Sequence, residues 1–413
     1  MKNRFRFTLF VLIAFCVLPA RAAEQRYIVR APGGLGLVQN ICRLLGCSVL
    51  GSVADPKSEL FIVGATVNNA SNVLQSLLSL LPLTRQLGIT NIELDRLIKI
   101  VPTKQPRTAD TRTTLLDGSP VWTGYAAQPA SKIIRLQEGQ TKFGAYGMGI
   151  VALIDTGVDA SHPALRYAMT PGYDFTAEQP SAGAANAPVA RPNNFDSTAA
   201  VVDNPDASFG HGTMVAGIIH LVAPRAKIMS LKAFRADGTA YLSDVLSSIY
   251  YATRSGARVI NMSFSMASSS TELKAALDYA VNRQLICVAS AGNDGRETIV
   301  YPAGFDNTIG VASTNLNDNR SSFSNYGDTL VWVAAPGEEI ITTYPSGRYA
   351  AGWGTSFSVP FVSGAAALIV DLKPGSDQST AQTATGKATP AGRGMGNGRL
   401  DVFRALEATK FSH

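Results

Sequence analysis

The feature that most restricts this chain is an alternation that begins after Gly118 and continues nearly to its end. The runs "GIVALID", "AKIMSLKAF", "ARVINMSF", "QLICVAS" and "NTIGVAS" are β-branched, apolar and short, as buried strands are. Between them, "YLSDVLSSIYYATRSG" and "TELKAALDYAVNRQ" repeat apolar positions at helical spacing. Strands apolar on both faces and separated by helices predict an α/β fold, a mostly parallel, doubly wound sheet covered on both sides. In such sheets ligands sit beyond the carboxyl ends of the strands, so functional groups are sought there.

The chain before this pattern divides into three parts. "MKNRFRFTLFVLIAFCVLPARAA", residues 1–23, sets Lys2, Arg4 and Arg6 before an apolar run and ends in small residues, as a cleaved secretory signal does. The run is short for a membrane span. From 24 to 101, "RYIVRA", "LGLVQNICRLLG", "CSVLGSV", "LFIVGATV", "ASNVLQSLLSLL" and "RLIKIV" read as βαββαβ, a small α+β module of the ferredoxin-like kind. Residues 102–120, "PTKQPRTADTRTTLLDGSP", have no apolar period and read as an exposed linker open to proteolysis. Residues 121–413 form the large domain.

Composition narrows the partners. At 46% hydrophobic and 16% charged residues, the chain has the means for a large core. The net charge of +6 is carried before Gly118, while the large domain is nearly neutral and has no basic stripe, so nucleic acid is not an expected partner. Cys16 belongs to the leader, Cys42 and Cys47 are candidates for a local bridge whose geometry the sequence leaves open, and Cys287 reads as a buried core thiol.

Four polar residues stand at strand ends or helix starts. Asp155 closes "LIDTGVD", His211 sits between glycines in "SFGHGTMVAG", Asn293 lies in "AGND", and Ser356 opens the apolar run of "GWGTSFSVPFVSGAAALIV". Taken singly, each has an ordinary explanation as a turn residue, a loop histidine or a helix cap. Together they supply acyl transfer. A serine needs an adjacent base, the base needs a carboxylate to orient it, and the tetrahedral oxyanion needs fixed donors.

The segments "VALIDTGVD", "HGTMVAGII", "VINMSFS", "ASAGND", "SNYG", "VAAPG" and "GTSFSVPFVSGAAAL", spread in order from about Tyr125 to Leu406, resemble the subtilisin-like serine proteases, the subtilases. The resemblance implies Asp155 as orienting acid, His211 as general base and acid, Ser356 as nucleophile and Asn293 as oxyanion donor. It implies that an edge strand through Ser263, Phe264 and Ser265, with Gly238, Thr239 and Ala240 opposite, pairs with an extended substrate backbone. The N-terminal module is similar to subtilase propeptides, which assist folding and then inhibit. The expectation is a secreted or periplasmic, self-processing endopeptidase that acts on polypeptides, has its own propeptide as inhibitor and needs no cofactor for chemistry.

Several positions depart from the family pattern. Phe357 and Ser358 replace its usual methionine and alanine, Ser265 replaces a glycine, and Val300 stands where many members keep a glycine at the pocket floor. A shallower apolar pocket with Phe264 on one wall follows. Pro360 reads as lying in the first helical turn, where a missing N–H costs nothing. The loop between Asp155 and His211 reads as an exposed polar surface loop; subtilases often bind Ca²⁺, and Asp196, Asp203 and Asp206 are candidates for it, but their spacing matches no calcium-loop motif and the metal ligands are left open. A silent subtilase fold acting as a binding protein would lack one of the catalytic groups, and all are present. An α/β-hydrolase would need glycine at Ser358, and His162, His211, His220 and His413 form no H-E-x-x-H.

Overall fold

The computed structural model describes residues 24–66, 88–100, 112–176 and 208–411. The leader at 1–23, the module's second helix-like run at 70–81, most of the first half of the linker, and Asp196, Asp203 and Asp206 lie outside the described residues.

The large domain follows from its buried strands. Seven parallel strands stand in the order β15 (Val333–Pro336), β14 (Ile309–Thr314), β13 (Ile286–Ser290), β12 (Ala257–Met262), β8 (Ile150–Asp155), β10 (Lys227–Lys232) and β9 (Met169–Asp174). Successive side chains of β8 feed two different cores. Val151 and Leu153 pack with residues of helices α2 (His211–Val222) and α5 (Thr355–Leu372), while Ala152 and Ile154 pack with residues of α3 (Leu242–Arg254) and α4 (Thr271–Val281). This two-sided burial is why the strands carry no polar face. Helix α5 has the length and composition of a membrane span, but nine-tenths of it is buried inside the fold, where it serves as the core helix. Cys287 is a buried free thiol of β13, pushed up to about 12 by burial.

The module is a four-stranded antiparallel sheet in the order β2 (Ser48–Ser52), β3 (Leu60–Thr66), β1 (Glu24–Arg30) and β4 (Asn91–Leu94), with α1 (Gly34–Leu45) packed on it. Cys42 and Cys47 are joined by a disulfide at the end of α1. The run "RLIKIV" does not close this sheet as its sequence suggests. The fourth strand is Asn91–Leu94, and β5 (Leu97–Lys99) leaves the module to pair antiparallel with β11 (Thr239–Tyr241) of the large domain. Ile98 and Ile100 account for the departure, because both side chains are buried in the large domain's core.

The linker reading also needs correction over its second half. Residues Thr113–Leu116 (β6) and Ser119–Trp122 (β7) form a hairpin whose turn residues, Asp117 and Gly118, both have positive φ. Ser119 and Val121 are buried, and Trp122 stacks on Tyr349 with ring centroids 5.2 Å apart. A short stretch with too few apolar residues to show a period is ordered by docking on an aromatic partner far along the chain.

Candidate active site

Asp155 is the last residue of β8 and His211 the first of α2, and the parallel sheet brings both to one edge. Their approach depends on the "HG" dipeptide. A side chain at Gly212 would collide with the carbonyl of Gly157 and crowd Asp155 Oδ1, so only glycine lets the helix start this close to the strand end. His211 Nδ1 lies 2.8 Å from Asp155 Oδ1 and 3.0 Å from Oδ2, with the two side chains 3% and 1% exposed. The Thr156 N–H also donates to Oδ1 at 2.7 Å. His211 Nε2 is buried and has no hydrogen-bond partner among the described residues.

Ser356 does not cap its helix. Gly354, at φ 140°, holds the cap position, and Ser356 lies inside the first turn of α5. The ring of Phe357 packs 5.7 Å from that of His211, which sets the starts of α2 and α5 side by side. That ring is fully buried and lies over Gly352 of the strand Arg348–Gly352, so it belongs to the core and does not narrow an open cleft. Ser356 Oγ donates to the carbonyl of Ser263 at 3.0 Å, and Ser263 Oγ donates back to the carbonyl of Ser356 at 3.0 Å. Asn293 follows β13. Its Oδ1 accepts from Thr355 N–H at 2.9 Å and Thr355 Oγ1 at 3.0 Å, which assigns the amide and leaves Nδ2 as its opposite, donating end.

Pro360 is the sixth residue of α5, beyond the first turn, so the sequence reading of it is corrected. Its missing N–H would have bonded to the carbonyl four residues back, that of Ser356.

The remaining residues divide between an open edge and a buried wall. Ser263, Phe264 and Ser265 were expected as an edge strand, but β12 ends at Met262 and only an isolated bridge, Met266 to Tyr301, follows. Phe264 is 2% exposed and packs on Phe234 with centroids 5.1 Å apart, and its carbonyl accepts from Ser290 Oγ. Asn325 Nδ2, Ser265 Oγ and Val300 Cγ2 crowd the side of Gly292 that a side chain would occupy, lying 2.6, 3.3 and 3.5 Å from where a Cβ would stand. Gly238 turns at φ 82°, and Thr239 and Ala240 lie in β11, opposite Lys99 and Ile98 of the module. The Ile100 N–H continues this ladder to the Gly238 carbonyl at 2.9 Å.

Sequence reasoning missed the polar anchors of the module. Asp95 accepts from Ser243 N–H at the start of α3, and Glu93 accepts from Ser270 Oγ and the first N–H groups of α4. Arg30 grips the buried Glu272 through both Nε and Nη2, and Asn91 donates to the same carboxylate. The only signal was two helix starts, "YLSD" and "SSTE", which leave N–H groups in need of acceptors. No group of three or more His, Cys, Asp or Glu side chains arranged to hold a metal occurs among the described residues.

Residues 149–400 match the family described as the subtilase family. Thermitase from Thermoactinomyces vulgaris is 34% identical over 62% of this chain and 88% of its own length. Subtilisin BL from Lederbergia lenta is 35% identical over 56% of this chain and 80% of its own. A thermophilic serine proteinase from Bacillus sp. (strain AK1) is 36% identical over 62% of this chain and 61% of its own. The chain belongs to the subtilase family. It is a subtilisin-like serine endopeptidase, of a class whose chemistry needs no cofactor.

Proposed function

We propose that the chain is a secreted, self-processing zymogen that cuts peptide bonds through an Asp155–His211–Ser356 triad. The observation that carries this reading is the buried Asp155–His211 pair, which fixes the ring through Nδ1 and leaves Nε2 without a partner beside the helix start that bears Ser356. When a substrate carbonyl arrives, Ser356 Oγ turns from the Ser263 carbonyl to His211 Nε2, gives up its proton and attacks. Asp155 stabilises the resulting imidazolium, which then protonates the leaving amine. Asn293 Nδ2 and the Ser356 N–H, at the positive end of α5, receive the oxyanion. Water repeats the sequence on the acyl-enzyme.

In this reading residues 1–23 are the signal, 24–101 the propeptide, 102–120 the region that is cut and 121–413 the catalytic domain. The pairing of β5 with β11 supports inhibition by the propeptide, because it lays an extended chain along the edge a substrate would use. The docking of the hairpin's second strand, which buries Ser119 and Val121, favours a cut before Thr113 that leaves the hairpin with the catalytic chain. Ser265 and Val300 are assigned to the pocket for the residue preceding the scissile bond, and their shared approach to Gly292 supports it.

Holding the linker at the site makes the first cut intramolecular, which proximity favours. Expressed in a host without secreted proteases, Ser356→Ala is expected to accumulate as a precursor that still carries the module. Wild type is expected to yield a catalytic chain starting between Pro102 and Thr113. Identical N-termini for the two would show that another protease matures the chain.

A further inference from the structure

The carbonyl of Ser356 has lost its helical partner, because the residue that should donate to it is Pro360. The fold supplies a substitute. Ser263 Oγ donates to that carbonyl at 3.0 Å, accepts from Asn261 Nδ2 at 3.0 Å, and Asn261 Oδ1 accepts from Ser363 Oγ at 2.9 Å. Asn261, Ser263 and Ser363 are all fully buried. Asn261 belongs to the central strand β12, where Leu153 of β8 and Val288 of β13 are its neighbours.

Each bond fixes the polarity of the next. A carbonyl only accepts, so the Ser263 hydroxyl must spend its proton on Ser356. Its lone pair then requires an N–H, which only the amino end of the Asn261 amide provides. The carbonyl end of that amide is thereby turned to Ser363, two turns beyond Ser356 on the same helix, whose hydroxyl must donate. We infer that Asn261 and Ser263 are positioning residues that replace the backbone bond deleted by Pro360 and so hold the Ser356 main chain, and with it the nucleophile and its oxyanion N–H, in attacking geometry. Neither side chain takes part in the chemistry. They act through the backbone of Ser356, and the inference rests on the reading of Ser356 as nucleophile.

The test uses the full chain, with fluorophosphonate labelling as a readout of the nucleophile itself and peptide turnover normalised to labelled sites. Ser263→Ala and Asn261→Ala are each expected to slow labelling and kcat together by roughly 10- to 100-fold, with KM little changed, because a small misplacement of a reacting group costs about that much. The double variant is expected to be no worse than the single ones, as for members of one chain of bonds. Pro360→Ala restores an N–H to the Ser356 carbonyl, so Ser263→Ala is expected to cost much less in that background, which a general packing defect would not show. Should the alanine variants fail to fold, Ser363→Ala frees only the far end of the amide and is expected to slow labelling about threefold, within the range of a single hydrogen bond's net worth. Wild-type labelling in folded Ser263→Ala, Asn261→Ala or Ser363→Ala, or a Ser263→Ala loss untouched by Pro360→Ala, overturns the inference. Labelling that persists in Ser356→Ala overturns the reading of the nucleophile instead, so the two failures are distinguishable.

Discussion

The two sheets of this protein solve burial in different ways. The seven-stranded sheet of the catalytic domain has helices of its own on both faces, so all of its apolar surface is buried within one domain. Among the described residues, the module's sheet has one helix, α1, on one face. Tyr27, Val29, Phe61 and Val63 turn towards α1 and form the module's own small core, while Ile28, Leu60 and Ile62 point the other way and join the core beside α3 and α4. Period-two alternation along β1 and β3 therefore assigns Ile28, Leu60 and Ile62 to the neighbouring core. The polar contacts repeat the division, since Arg30, Glu93 and Asp95 of the module all find partners on the large domain. A unit built this way depends on its docking partner to cover one face of its sheet.

The comparison breaks most readily at the catalytic edge. Asn293→Leu is expected to lower kcat by roughly 10² to 10³-fold, the size measured for the matching change in subtilisin itself, and to leave KM and the module's grip unaltered. Steady-state kinetics together with inhibition by added module check this, and an unchanged kcat would mean that Asn293 faces away from the oxyanion.

Acid should separate the two regions by sign. His220 of α2 is buried with neither ring nitrogen hydrogen-bonded among the described residues, and burial pushes it down to about 4. Its neutral form is favoured by folding, so this contribution is complete above an unfolded pKa near ~6.5 and is lost as pH falls towards the folded value. The loss is on the order of 3 kcal/mol, at about 1.4 kcal/mol per unit. Urea midpoints of His220→Asn should fall less between pH 7 and pH 4.5 than those of wild type, and parallel slopes would remove His220 from the account.

At the module interface, Arg30→Ala leaves Glu272, 1% exposed, without its counter-charge. Because Arg30 itself is partly exposed, the expected weakening of inhibition by the module is about 10- to 100-fold, below the figure for a fully buried pair. Turnover by the released catalytic chain should not change. An equal effect on both would refute the division into two regions.

The smallest effect per step is the module's own response to pH. Asp244, in the first turn of α3, has a buried Oδ2 with no hydrogen-bond partner among the described residues, and its carboxyl is pushed up to about 7 by burial and then by Asp95, with Arg235 and Arg26 acting the other way. Docking favours the protonated form, and departure of the module removes Asp95 and its cover. Affinity should therefore be greatest at acid pH, fall by up to about tenfold per unit as pH rises towards 7, and level off above it. Inhibition constants of the added module from pH 5 to pH 8 measure this slope, and Asp244→Asn should flatten it. Acid thus weakens the body through His220 and tightens the module through Asp244.

The class of the fold was legible because fully buried strands and amphipathic helices leave local patterns. "GIVALID" and "ARVINMSF" became β8 and β12, and "YLSDVLSSIYYATRSG" became α3. The candidate site was legible for the same reason, since Asp155, His211, Asn293 and Ser356 stand at strand ends and helix starts that local pattern locates. Where β5 would pair was not legible. "RLIKIV" has the alternation of any strand, and only the position of β11 in space decides which sheet it joins.

Residue types and their spacing by themselves determined the parallel α/β architecture, the subtilase motifs and the groups available for acyl transfer, because each depends on a few neighbours along the chain. Tertiary structure alone decided that residues 113–122 fold back as a hairpin on Tyr349, that Phe357 is core, and that the carbonyl orphaned by Pro360 is met by Ser263. Each of these is a contact between residues far apart in the chain. A hydrogen-bonding group or an apolar ring shows in the sequence that it needs a partner, and only the folded chain supplies which one.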